Sequence, residues 1–247
     1  MLYLIGLGLY DPKDLSLRGL AAAGKCGRVY VEGYTNYFSG GVEEVVGKKV
    51  TVLSRKDVEE NPEENVLKKG GDACLLVPGD PLVATTHVDL ILRARKLGVE
   101  VKVIHSSSVY SAIGETGLQL YKFGKTTTIA YPEGKYFPTS PYDVIEENMK
   151  AGLHAMCLLD VKAQEDRYMT VNEGLNLLLE MEKQKTRKLI TENTLVVGVA
   201  RLGGDTDIKA GKLKDVIKHD FGKPPHVLVI PGKLHFMEDE MLAQYKI

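Results

Sequence analysis

The sequence has 247 residues, of which 44% are hydrophobic and 26% charged. That composition supplies a real core for one large or two small domains, and it excludes disorder, collagen or coiled coil as a description of the whole chain. The 32 basic residues balance 33 acidic ones, and neither side of Ile113 carries the basic excess of a nucleic-acid or membrane-surface binder, so neither kind of partner is expected.

From the N-terminus, residues 1–5 are apolar, but Gly6, Gly8, Asp11 and Pro12 interrupt them before any signal-peptide pattern develops. They read as a first strand. Further Val-, Ile- and Leu-rich runs at 28–32, 49–53, 73–77 and 101–105 alternate with segments of helical period, the βαβ pattern of a mainly parallel sheet. The clearest helix, 86–97, sets Val88, Ile91, Leu92 and Leu97 on one side as its buried stripe. Arg93, Arg95 and Lys96 collect near its C-terminal end, where they complement the helix dipole, and Gly98 stops it. A Ser- and Gly-rich stretch at 114–117 then predicts a boundary, giving domains 1–113 and 114–247. In the second domain strands are predicted at 126–131, 155–161, 195–200 and 227–230, with helices at 141–151 and 171–188. A β-arm at 207–213 makes that sheet mixed. The expected fold class is therefore α/β, with two α/β domains, the N-terminal sheet mainly parallel and the C-terminal sheet mixed. No run reaches the ~20 apolar residues that span a bilayer. Cys26, Cys74 and Cys157 have no CxxC spacing and read as buried free thiols of a reducing compartment, so a soluble, cytoplasmic protein is expected.

Several motifs invite a chemical reading. Gly6-Leu7-Gly8 after the first strand, with Glu32 ending the second, suggests a dinucleotide site, but the third glycine is missing and Asp11 would repel a pyrophosphate. The glycines still require a tight turn or a close backbone approach. Gly124-Lys125-Thr126-Thr127 resembles the tail of a P-loop, yet Gln119 stands where a glycine is required and a strand follows. The histidines show no pair at metal-ligand spacing, so no metal is expected, and His87, His105 and His154 read as satisfied structural residues. Asp166-Arg167, Glu146-Glu147 and Glu238-Asp239-Glu240 read as solvated charges. The most informative segment is Pro78-Gly79-Asp80-Pro81, a rigid loop at the carboxyl end of the fourth strand, where open α/β sheets bind ligands. Thr85 or Thr86 is the predicted N-cap of the helix that follows.

Gly6-Leu7-Gly8-Leu9, the run from Pro78 through Ala84-Thr85-Thr86-His87, the stretch from Gly117 through Tyr121-Lys122-Phe123-Gly124, and Pro225-His226-Val227-Leu228-Val229 together resemble the diphthine synthases, a branch of the tetrapyrrole-methylase superfamily. The resemblance covers essentially the whole chain. It implies two α/β domains with S-adenosylmethionine in the cleft between them, S-adenosylhomocysteine as product, and a homodimer. By position, the family's cofactor contacts fall on Leu9, Asp80, Val83, Ser108 and Val109 in the first domain and on Leu159, Leu202 and His226 in the second. Gly33, where many members carry an aromatic residue, and Leu202-Gly203-Gly204, where Ala-Gly-Ser is more usual, depart from the pattern.

The same resemblance implies methyl transfer to the amino group of the modified histidine of translation elongation factor 2. Such a displacement chiefly needs alignment of a nucleophile lone pair with the S–CH3 bond, and no residue is singled out as a general base. An exposed side chain of a protein acceptor needs an open mouth, for which loops 34–41 and 133–142 are the candidates, with Tyr37, Tyr136 and Phe137 as walls for a growing ammonium. The alternative is a tetrapyrrole C-methyltransferase of the same superfamily, but no basic cluster beside the motif loops suits a large flat polyanion.

Overall fold

The computed structural model describes residues 1–35, 41–68 and 70–247, in two compact units: Met1–Ala112 with Ala163–Glu165, and Ile113–Lys162 with Asp166–Ile247. The first unit is built on five parallel strands, β1 (Leu2–Gly6), β2 (Arg28–Glu32), β3 (Thr51–Leu53), β4 (Ala73–Val77) and β5 (Val101–Ile104), in the order β3-β2-β4-β1-β5. β4 lies at the centre and every one of its residues is buried. Its alternation feeds two cores, as expected of a strand covered on both faces. Leu75 and Val77 pack with Leu2, Leu4, Tyr30 and Leu90 on one face, and Cys74 and Leu76 pack with Ile5, Ala23 and Val29 on the other. Helices α1 (Leu17–Lys25), α2 (Val42–Val46), α3 (His87–Lys96) and α4 (Val109–Ala112) belong to the unit, with shorter helical turns at 12–14, 56–60 and 63–67. α1 starts where the Ser16 hydroxyl accepts from the Gly19 N–H, satisfying one of the amides a helix N-terminus leaves open.

The stripe that α3 buries differs from the one expected. His87, Leu90 and Ala94 face the sheet, whereas Val88, Leu92 and Leu97 are exposed and only Ile91 of the expected set packs partly against the core. Two stripes of this helix were available at a 3.6-residue period, and a count of apolar side chains favours the wrong one. Ala94 permits close approach to the sheet, and a histidine whose ring is paired behaves as a core residue. Thr86 is the N-cap position, but its hydroxyl makes no capping bond and donates instead to Glu59, while the Thr85 hydroxyl donates to the Pro81 carbonyl.

The second unit holds β6 (Thr127–Ile129), β7 (Ala155–Leu159), the two-residue strands β8 (Val161–Lys162) and β9 (Arg167–Tyr168), then β10 (Leu195–Ala200), β11 (Asp207–Lys212) and β12 (His226–Ile230). Its main sheet runs β11-β10-β12-β7-β6, parallel between β6 and β7 and antiparallel elsewhere, so the sheet is mixed and residues 207–212 do form an added antiparallel arm. Helices α5 (Ser140–Lys150), α6 (Val171–Lys185), α7 (Leu213–Val216) and α8 (Phe236–Ala243) flank it. The core joins Cys157, Leu159 and Leu228 of the sheet to Tyr142, Ile145, Leu175 and Leu178 of the helices. All three cysteines are buried and free. Among the described residues no helix is long and apolar enough to cross a membrane.

Candidate functional site

In the first unit, the carboxyl ends of β4, β1 and β5 lie side by side, and the loops that leave them carry Asp80 and Val83, Leu9, and Ser108 and Val109 respectively. These loops are knit together by main chain. Gly8 and Gly79 exchange hydrogen bonds of 3.2 and 2.7 Å, and both adopt positive φ, +92° and +73°, which side chains resist. A Cβ at Gly6 would stand 2.6 Å from the Gly79 carbonyl oxygen and 2.7 Å from the Ser106 Cβ. The glycines of the opening motif therefore serve close packing of three strand ends. Around them Leu9, Val83 and Val109 are half-buried and Ser108 is buried.

Asp80 is 5% exposed, and its carboxylate is fully engaged. Oδ1 accepts the Leu82 N–H at 2.9 Å, while Oδ2 accepts the Ser106 N–H at 3.1 Å and the His105 Nδ1–H at 2.8 Å. The carboxylate thus ties the loop after β4 to the end of β5. The other end of the same loop is held by His87, whose Nδ1 donates to the Pro81 carbonyl at 2.8 Å and whose Nε2 pairs with Glu32 at 2.6 Å. Both partners of that pair are sealed from solvent, His87 at 1% and Glu32 at 2% exposure. Burial opposes charge on the imidazole, but Glu32 beside it outweighs burial and holds the His87 pKa above its usual value. Among the described residues no hydrogen bond reaches either Glu32 oxygen, so His87 alone balances that charge. Glu32, the residue a dinucleotide site would have used for a ribose, is a loop anchor.

In the second unit, β12 runs antiparallel to both of its neighbours, so its first residue, His226, lies beside Ala200 at the end of β10 and next to the end of β7. Leu159, Leu202 and His226 are thereby gathered at one end of that sheet, with Leu159 and Leu202 buried. The His226 ring is committed within the unit: Nδ1 accepts the Val171 N–H at 3.2 Å, and Nε2 donates to the Lys223 carbonyl at 3.0 Å. Burial pushes its pKa down, consistent with a neutral ring.

The two sets of strand ends come from a fold found elsewhere. Residues 1–217 match the family model of Tetrapyrrole (Corrin/Porphyrin) Methylases. A diphthine synthase of Methanocaldococcus jannaschii is 52% identical over 98% of this chain and 97% of its own length, and one of Methanococcus maripaludis is 50% identical over the same shares. The chain belongs to the tetrapyrrole methylases, in their diphthine synthase branch. A solved diphthine synthase superposes with a TM-score of 0.90 at 38% identity, covering 99% of this chain and 95% of that one. An Entamoeba histolytica protein assigned as a diphthine synthase gives 0.92 at 41% identity, covering 100% and 98%.

In this diphthine synthase fold the Tyr-Lys-Phe-Gly stretch is structural. Lys122 and the buried His154 both bind Glu238, Oε1 of which also accepts the Gln119 N–H at 2.9 Å, while Oε2 accepts the His235 N–H at 2.7 Å. Glu238 is completely buried, which corrects its reading as a solvated charge. A run of three acidic residues on a helix looks like a solvated face, and only the tertiary fold shows that the first of them enters a nest of donors. Gly124 packs so close to Asn148 that a Cβ would lie 2.2 Å from its side-chain oxygen. Of the aromatic residues proposed for a cleft mouth, Tyr136 is exposed, Phe137 packs against the core instead, and Tyr37, with most of loop 34–41, lies outside the described residues. Residues 133–142 are not one open loop: Glu133 and Tyr136 close a tight turn, and α5 begins at Ser140. His105 is the one residue at these strand ends whose character sequence reading missed, because its partner Asp80 is 25 positions away.

Proposed function

We propose that this chain transfers methyl groups from S-adenosylmethionine to the amine of the modified histidine of elongation factor 2, the chemistry that its membership of the diphthine synthase branch implies. The observation that carries the reading is a match at about half identity along nearly the whole chain, with the loops after β1, β4 and β5 intact. Their residues fit the cofactor in kind. Half-buried apolar side chains at Leu9, Val83 and Val109 suit an adenosine and a methionine chain, and the loop backbones beside them offer main-chain donors and acceptors. The second-unit set, Leu159, Leu202 and His226, is proposed to contribute further contacts. Since the His226 ring is already bonded on both nitrogens, that contribution falls to its main chain.

Bound there, S-adenosylmethionine supplies an electrophilic methyl group on a sulfonium. The protein's part is to hold the loops still, exclude water and present the acceptor amine in line. Asp80 and His87 do the holding, each fixing one end of the 80–87 segment. The tetrapyrrole alternative is disfavoured because the relatives quoted above are diphthine synthases. A homodimer and a cytoplasmic setting belong to the same proposal and rest on the family alone. Incubation of the chain and radiolabelled cofactor with elongation factor 2, with and without the precursor on its histidine, tests the reading. Methyl incorporation only into the precursor-bearing factor is expected; incorporation into both or neither would overturn it.

A further inference from the structure

Beyond its tie to Asp80, His105 carries a second ring nitrogen that none of the roles above uses. His105 directly follows β5, and its side chain is 67% exposed. Its Nδ1–H is fixed on Oδ2 of Asp80, and Asp80 is itself fixed by two main-chain N–H groups. Because Nδ1 donates to a carboxylate, Nε2 is the nitrogen that bears the lone pair in the neutral ring, and no hydrogen bond to it is formed among the described residues. A solvent-open imidazole oriented by a buried carboxylate is the arrangement by which histidine removes a proton from a neighbouring group. The neighbouring histidine offers no rival, because both His87 nitrogens are occupied in the interior. Asp11 and Asp14, on the turn after β1, are bonded to the main chain of that same turn.

We propose that His105, oriented by Asp80, is the base that deprotonates the acceptor amine. This rests on the methyltransferase reading. An aliphatic amine is largely protonated near neutral pH and then has no lone pair to offer. The proton passes from the ammonium nitrogen to His105 Nε2, giving an imidazolium that the Asp80 carboxylate stabilises. The freed lone pair forms the N–CH3 bond as the S–CH3 bond breaks, and that electron pair stays on sulfur as a neutral thioether. His105 returns its proton to solvent, to which it is open. Each further transfer to the same nitrogen requires the same removal until no proton remains on it.

His105→Asn separates this role from a structural one, since an asparagine amide can still donate to Asp80 but cannot take a proton. Cofactor affinity by calorimetry should stay within about twofold of the parent while kcat at neutral pH falls about a hundredfold. The deficit should shrink as pH is raised to about 9, where more of the amine is free unaided. His105→Ala, which also releases Asp80, should lose cofactor affinity as well. An Asn variant with parental kcat, or one with the same deficit at every pH, would overturn the proposal and leave His105 as a loop anchor. A parent enzyme that binds cofactor yet methylates no precursor-bearing factor would instead overturn the methyltransferase reading, and the inference with it.

Discussion

At the scale of single residues, the site is governed by how few freedoms its polar groups retain. Asp80, one of the positions that the resemblance assigns to the cofactor, accepts from Leu82, Ser106 and His105 with its carboxylate, so its removal should act on binding through the shape of the loop. Charged hydrogen bonds of this kind are each worth roughly 1.5–3 kcal/mol. Asp80→Ala should therefore weaken S-adenosylmethionine binding by about 10- to 100-fold. Asp166→Asn, placed in a turn at φ 49° that asparagine tolerates, should leave affinity unchanged in the same titration calorimetry. The Glu32–His87 pair makes a stronger demand. Removing one partner strands a buried charge, so Glu32→Gln or His87→Ala should cost about 3–5 kcal/mol in denaturant unfolding. Because the folded pKa of His87 is raised, its contribution is complete below the unfolded value near 6.5 and is lost as pH rises through the folded one. Stability of the parent should decline over that rise, and Glu32→Gln should flatten the decline.

At the scale of elements, α8 is held by the same logic carried further. Glu238 closes its N-terminal turn by accepting the His235 N–H, and it gathers Lys122, His154 and the Gln119 N–H around one buried carboxylate. Burial alone would raise its pKa, but these donors more than reverse that and bring it down to about 2. A depressed carboxylate contributes fully above its unfolded value near 4.5 and is lost as pH falls toward its folded one. Acid unfolding should thus show a limb below about pH 4.5 worth on the order of 3 kcal/mol, absent in Glu238→Gln, which should start from a lower stability at neutral pH. A parent and variant with parallel acid limbs would place the titration elsewhere. Buried His154, whose pKa burial pushes down, adds a further loss that begins as pH falls through the usual imidazole range.

For the whole molecule, the near balance of 32 basic against 33 acidic residues means that no strong field steers a large charged partner. Recognition of the proposed acceptor, elongation factor 2, should then depend on shape, and kcat/KM for the factor should change by less than about tenfold between about 0.05 and 0.5 M salt. A steep salt dependence would reveal a local charged docking patch that the overall balance conceals.

What the sequence by itself determined is whatever is written in neighbouring residues. The alternation of apolar runs marked the first sheet as parallel and the segment at 207–213 marked an added arm, whereas the mixed character of the second sheet comes mainly from β12, which runs antiparallel to both of its neighbours. Gly6, Gly8 and Gly79 mark tight backbone from their place in the chain alone, and the same loops carry the family resemblance. What only the tertiary structure decided are the pairings between residues far apart in the chain. Glu32 with His87, Asp80 with His105, and Glu238 with Lys122 and His154 join positions 55, 25, 116 and 84 apart. No local period encodes such a pair, since each member alone looks like an ordinary surface charge or a lone histidine. The buried face of α3 differs from the expected one for the same reason: the partner that holds His87 inward is Glu32, on strand β2.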